Sequence, residues 1–312
     1  MAATMAKNGQ YMNTLVSILS RQSGVALLVG NGINRFANQN SSWEDLLATI
    51  SRRLEIDLSQ DELLEMSNTE FFDILDISRQ SSDSTYLKQL FCDLMRHWMP
   101  GAHHSRLIGW AQRYASPIMT VNFDENLSRS ASTKFILTCG LAPPKVGFSS
   151  YYPWQSFFGP ENVENPAEAF GIWHPHGMLR YSRSIRLGLR DYMGSVQRAR
   201  SWIYHGENSL VRYFKQDKQS WRGFQTWLHP LFTCDIALVG FGFGKDETFL
   251  RWLFLERARL HKQFPLRARR AWFVTVDDAR NRHREPFLTR LGIQMVELKS
   301  HQHIYESEAW DK

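Results

Sequence analysis

The sequence predicts an α/β fold, a doubly wound and mainly parallel sheet of six strands with a helical insertion. Two observations lead to it. Short apolar runs at 25–29, 117–121, 170–173, 234–239, 271–276 and 292–298 have the length of buried strands, and segments of helical periodicity separate them. Four of these runs stop abruptly in glycines or in a group of hydrogen-bonding residues, as a buried parallel strand does where it leaves the sheet and turns towards a helix.

Along the chain, 13–21 reads as an amphipathic lead-in helix, and the first strand, Val25-Ala-Leu-Leu-Val, runs straight into Gly30-Asn31-Gly32-Ile33-Asn34. Glycines there permit a tight turn and a close approach of the main chain to a ligand, and the exposed amides suit a phosphate. The third glycine of a dinucleotide fingerprint is missing, so an ordinary strand-to-helix turn is the competing reading. Ser41 or Ser42 then caps a helix with Glu44 and Asp45 in its first turn. On it Trp43, Leu46, Leu47, Ile50 and Leu54 recur at helical spacing, which assigns Trp43 to the core. A Rossmann-like dehydrogenase unit would place a ribose-binding acid at the end of a second strand about twenty residues past the glycines. The segment 61–99 instead looks helical throughout, so a nucleotide has to be held in another way.

His103-His104 opens the next helix. Adjacent residues point to different faces, and no carboxylate or cysteine stands one turn away, so capping or surface roles are expected in preference to metal binding. Beyond the second strand, Thr120, Asn122 and Asp124 alternate and would face one way on an extended backbone, at a strand end where open α/β sheets bind ligands. The plain alternative is an Asx turn in which Asp124 caps the following helix. The stretch 141–166, with Tyr151-Tyr152, Trp154 and Phe157-Phe158, reads as an ordered aromatic excursion. The third strand ends in His174-Pro175-His176-Gly177, where a histidine can serve as a positioned general base or as a satisfied structural residue. From 179 to 228 the pattern is helical and basic, with Arg180, Arg183, Arg186 and Arg190 near one stripe. The fourth strand ends in Gly240-Phe241-Gly242-Phe243-Gly244-Lys245-Asp246, and a helix follows from Glu247 to Leu260.

Composition narrows the class. A chain of 312 residues, 43% hydrophobic and 13% aromatic, can bury a large core, and one domain over 1–312 is expected, with insertions at about 141–169 and 179–230. No run of eighteen apolar residues and no secretory pattern occurs, which predicts a cytoplasmic protein without membrane contact. Cys92, Cys139 and Cys234 stand far apart with no C-x-x-C pair, so neither a metal nor a disulfide framework is expected. The net charge of +6 reads as a basic surface in preference to a nucleic-acid interface.

The four strand ends, Gly30-Asn-Gly32-Ile, Thr120-Val-Asn122-Phe-Asp124, His174-Pro-His176-Gly177 and Gly240-Phe-Gly242-Phe with Asp246, come in the order and rough spacing of SIR2-like domains. Over about Val25 to Leu298 the chain resembles the bacterial SIR2-like NAD hydrolases of antiviral, abortive-infection defence. The resemblance implies that NAD is the substrate and is cleaved at the nicotinamide–ribose bond. It implies an activity regulated by a partner protein, a ligand or assembly into a homo-oligomer. Gly30, Asn31, Gly32 and Ile33 would cradle the pyrophosphate, and Asn34, Arg35 and Phe36 would form a mobile segment closing over the nicotinamide ribose. Asn122 would orient the attacking water or the ribose, with Thr120 beside it, Asp124 would meet the carboxamide, and His176 would be the base. Gly240, Phe241, Gly242 and Asp246 would line the adenosine ribose pocket. Asn31 and Asn34 stand where the family usually has alanine and serine. Protein-deacylating sirtuins are similar at the same strand ends but carry two cysteine pairs that this chain lacks, so hydrolysis is expected over deacylation. A Rossmann-type sensor that holds NAD or ADP-ribose without chemistry is the rival reading.

Overall fold

A computed structural model describes residues 15–20, 24–39, 42–56, 62, 65–79, 85–140 and 152–311. In chain order its elements begin with β1 (Val25–Val29), α1 (Gly32–Ala37), α2 (Trp43–Arg53), α3 (Asn68–Ser78), α4 (Thr85–Met95) and α5 (Ala102–Arg113). Next come β2 (Pro117–Thr120), α6 (Asn126–Arg129), β3 (Lys134–Ile136), β4 (Phe157–Gly159), β5 (Gly171–Trp173), α7 (Leu189–Tyr204), α8 (Leu210–Gln216) and α9 (Leu228–Thr233). The last part holds β6 (Asp235–Val239), α10 (Thr248–Gln263), β7 (Ala271–Val276), α11 (Ala279–Arg282), α12 (Glu285–Arg290), β8 (Ile293–Leu298) and α13 (His301–Tyr305).

The apolar runs are continuous because the sheet is covered on both faces. In β1, Ala26 and Leu28 enter one core while Val25, Leu27 and Val29 enter the other. Helices α7 to α10 pack on the first face, and α5 with α13 on the second. The α/β class and the doubly wound sheet are therefore as expected. The strand count is not: the sheet has eight strands, in the order β3-β4-β5-β2-β1-β6-β7-β8. The two additional strands, β3 and β4, are three residues each and form an antiparallel edge on β5. Strands so short carry no readable period of two.

The six parallel strands, numbered by themselves along the chain, lie in the order 3-2-1-4-5-6, the Rossmann order. The chain reverses direction across the sheet between β1 and β6, and a crevice opens where the two connections part. Over the carboxyl ends of the strands, α2, α3 and α4 form a wall with an apolar core of its own, built on Leu47, Ile50, Phe72, Leu75, Leu87 and Phe91. Trp43 lies at the edge of that core and stacks on Phe123 at 5.3 Å, as its assignment to packing expected.

The arginine stripe is not one helix face. Residues 179–188 run as a turn with a short 3₁₀ segment at Ser182–Ser184, and α7 starts only at Leu189. Arg180 lies over the Phe135 and Phe158 rings and 3.4 Å from Glu125, and Arg186 is buried above the Tyr152 ring. Their spacing mimics a helix, but tertiary partners claim the side chains. Of the aromatic excursion, 152–166 is described and Tyr152, Trp154 and Phe157 are buried in the first core, while 141–151 lies outside the described residues. The lead-in helix is described over 15–19, Ser42 is the cap of α2, and Ser41 lies outside the described residues. Among the described residues no helix is long and apolar enough to cross a membrane.

Candidate functional site

A cleft of about 470 Å³ lies at the crevice between β1 and β6, within the size range of small-molecule sites. Its floor is made by the two glycine turns that follow these strands, and they lock into each other. Gly30 N donates to Val239 O at 3.0 Å, and Gly32 N donates to Gly240 O at 2.8 Å. A Cβ on Gly30 would stand 2.5 Å from both Gly240 O and Phe241 Cα, and one on Gly32 would stand 2.8 Å from Gly240 Cα. Gly240 has φ +62°, a conformation that side chains disfavour. These glycines are thus explained by the packing of one turn against the other. The amides of Gly30 and Gly32 are used within the protein, so neither is free to donate to a pyrophosphate, whereas Asn31 and Gly32 still line the cleft. Further along, Gly242 and Gly244 have open space where a Cβ would be, so bare main chain reaches the cleft there.

Among the residues expected at the site, Asn31, Gly32 and Arg35 line the cleft from the first turn. Asn122, Asp124 and His176 line it from the ends of β2 and β5. Gly240, Phe241, Gly242 and Asp246 line it from the second turn. Gly30, Ile33, Asn34, Phe36 and Thr120 stand behind this surface. Ile33 is core, and Thr120 Oγ1 donates to Val29 O at 3.1 Å while accepting from Asn122 N, a strand-end tether in place of a ligand contact. The segment expected to close as a lid is the short helix α1, with Asn34 buried and Phe36 packed on the His103 and Tyr305 rings.

β2 ends at Thr120, which bonds the last residue of β1, while Asn122 reaches the first turn and Asp124 reaches α1 beyond it. Asn122 Nδ2 donates to Gly30 O at 3.3 Å. Asp124 Oδ2 accepts from Asn34 Nδ2 at 2.7 Å, and its Oδ1 accepts from Asn126 N at 3.0 Å. The Asx turn and the cleft position are both present. Burial raises the Asp124 carboxyl above its ordinary value, against the pull of these hydrogen bonds.

The paired histidines are where sequence reasoning missed most. Both are buried. His104 Nδ1 accepts from Gly101 N at 3.0 Å, the expected cap, and its Nε2 then donates to Asn34 Oδ1 at 3.2 Å, which fixes the tautomer. His103 Nε2 donates to Ile33 O at 2.8 Å. The pair holds α1 in place from beneath. No spacing rule connects residues 70 positions apart, so the sequence carried no signal for it.

At the cleft wall several polar atoms are enclosed and find no partner among the described residues: Asn122 Oδ1, His176 Nε2, Glu247 Oε2 and Tyr305 Oη. Such atoms are rare in native interiors and cluster where a ligand or water completes them. His176 is held by its backbone, which accepts from Arg186 N at 2.9 Å, and by ring contacts with Tyr192 and Phe123 at 5.5 and 6.5 Å. Burial, with Arg186 nearby, pushes its imidazole down to about 3, so it is neutral at physiological pH. Gly177 beside it has φ +95°, and a Cβ there would collide with Ser184 O, so this glycine is required by the turn. The sequence matches no protein-family model and shows no significant match to a curated protein. The reading of the cleft therefore rests on its geometry and on the resemblance of the strand ends.

Glu247 and Tyr305 were not expected at the site. Glu247, the cap position of α10, reads from sequence as a helix-start acid, and Tyr305 follows the last strand without any motif.

The buried histidines set an acid limit on the fold. His104, His176 and His229 are pushed down to about 3 and His261 to about 4, each chiefly by burial. On unfolding below pH 6.5 each takes up a proton that the native state refuses, so their contribution is complete above that value and is lost as pH falls towards 3. Glu247, raised to about 8 by burial, has the opposite sign, since its native form keeps a proton that the unfolded form releases. With His103 and His174, six histidines are held down by burial against four carboxyls held up, Asp73, Asp124, Glu247 and Glu297, and the balance leaves the fold acid-labile. The unfolding free energy from urea melts is expected to drop between pH 6.5 and 5, by up to about 1.4 kcal/mol per pH unit for each histidine, and the midpoint with it. An unchanged midpoint over that range would contradict their burial.

Proposed function

We propose that this chain is a SIR2-like NAD hydrolase that releases nicotinamide and ADP-ribose and serves as the NAD-depleting effector of a bacterial antiviral defence. The observation that carries the reading is the convergence of Asn122, Asp124 and His176 on one cleft at the Rossmann switch point, with Asn122 Oδ1 enclosed and unpartnered among the described residues. Cleavage of the nicotinamide–ribose bond passes through an oxocarbenium-like state, and the leaving group is already cationic and needs no protonation. The site has only to hold the ring, stabilise charge developing on the ribose and place a water. Asn122 supplies an orienting amide, Asp124 a buried carboxyl near the ring, and His176 a neutral imidazole to take the proton of the water.

In this reading the pyrophosphate lies along the bare main chain at Gly242 and Gly244, since the amides of Gly30 and Gly32 are engaged. The chain acts in the cytoplasm as a homo-oligomer or with a separate regulatory protein, without membrane or nucleic acid. Purified protein is expected to release nicotinamide from NAD, alone or with lysate of virus-infected cells, and His176→Ala or Asn122→Ala should lower the rate by about 10²–10⁴-fold. Tight NAD binding without release in any condition would replace this reading with the sensor.

A further inference from the structure

Two of the enclosed orphan atoms face each other. His176 Nε2 stands 3.7 Å from Glu247 Oε2, too far for a hydrogen bond and too close for either to be solvated independently. His176 comes from the end of β5 and Glu247 from the start of α10, so the two are brought together across the switch point by the second glycine turn. The His176 side chain is 6% exposed and that of Glu247 25%, the exposed part of Glu247 lying away from the enclosed Oε2. Catalytic hydrogen bonds in ligand-free sites are commonly this long and tighten in the complex.

Resting on the hydrolase reading, we propose that Glu247 is the positioning residue of the site: its carboxyl takes the Nε2–H of His176, fixes that tautomer, and leaves Nδ1 as the nitrogen that faces the reacting water. The proton balance is simple. Nδ1 takes a proton from the water as its oxygen bonds to the ribose carbon, the bond from that carbon to the nicotinamide nitrogen breaks, and its electron pair leaves with nicotinamide. The imidazolium that results keeps its Nε2–H against the Glu247 carboxylate until Nδ1 returns the proton to solvent. The groups facing the pair are Arg186 and the Tyr192 and Phe123 rings around His176, and Asp246 and Tyr192 beside Glu247. Burial, with Asp246 adding, raises Glu247 to about 8, so the ionised carboxylate forms as pH passes that value.

The test uses the full chain and two readouts, one of which needs no turnover. Nitrogen-detected NMR of the imidazole at pH 9 is expected to show His176 as the Nε2–H tautomer in wild type and to lose that preference in Glu247→Leu. In wild type kcat/KM should rise towards pH 8; in Glu247→Gln, whose amide oxygen still accepts from Nε2 but does not titrate, that limb should move to lower pH, kcat should fall about tenfold and KM should hold. Glu247→Leu should lose about 100-fold in kcat. Thermal melts check that both variants fold, and Glu247→Gln keeps the test usable where Glu247→Leu does not fold. An unchanged tautomer in Glu247→Leu, or an unmoved pH limb in Glu247→Gln, overturns the proposal. A tautomer that responds in a protein that never cleaves NAD supports the pairing and removes the hydrolase reading.

Discussion

Gly30→Val is expected to unseat both glycine turns at once and to abolish ligand binding. The added Cβ would meet Gly240 O, Phe241 Cα and Gly240 C at 2.5, 2.5 and 3.0 Å. All three are backbone atoms, so no side chain can swing aside. Either the β1 turn lifts from the β6 turn, breaking the Gly32 N to Gly240 O bond, or β1 shifts within the sheet. Either outcome should cost at least about 3 kcal/mol, the scale of overpacking in a rigid site. Gly109→Ala on α5, away from the cleft, is the control, because its Cβ would meet nothing within 4 Å; its effect should stay within about 1 kcal/mol. Urea melts and calorimetry with ADP-ribose read the two effects separately. A Gly30→Val protein that melts and binds as wild type would show that the two turns do not depend on each other.

Arg257→Met is expected to be the most damaging change remote from the cleft. Arg257 is 2% exposed, and its guanidinium donates to the carbonyl oxygens of Leu231, Cys234, Arg269 and Arg270 at 3.0–3.1 Å. It thereby joins α9, the start of β6 and the approach to β7. Burial lowers it to about 10, so it remains charged at neutral pH. Methionine fills the volume but supplies no donor, leaving buried carbonyls unsatisfied at about 1–3 kcal/mol each. A total loss of about 3–5 kcal/mol in the urea melt is expected. Arg257→Lys should recover only part, since one ammonium cannot span four carbonyls on three chain segments. A loss below about 1 kcal/mol for Arg257→Met would mean that water replaces the guanidinium there.

Legibility followed the length and the symmetry of the signal. β7 coincides with the run Ala271–Val276 read from sequence, because five of its six residues are buried and polar residues bound it on both sides. β3 and β4 escaped because each holds only three residues and neither shows alternation. The arginines at 180, 183, 186 and 190 misled because a spacing of three or four is the same whether a helix or a folded-back turn carries it; Phe135, Tyr152 and Glu125, which hold two of them, are distant in sequence. At the site, Asn122, Asp124 and His176 were legible as polar residues at strand ends. Glu247 and His104 were not, since each is defined by a partner about 70 residues away: His176 for the one, Asn34 for the other.

The interlocked turns carry a consequence for how this cleft can change over generations. A side chain gained at Gly30 or Gly32 collides with the main chain of the other turn, so neither loop can be remodelled alone. Any drift there has to arrive as two coordinated changes, which makes the floor close to immutable by single steps. The wall of α2, α3 and α4 has a separate apolar core and no such dependence. A substitution on that wall, at Thr69 or Met95, alters the cleft lining without touching the interlocked turns of the floor.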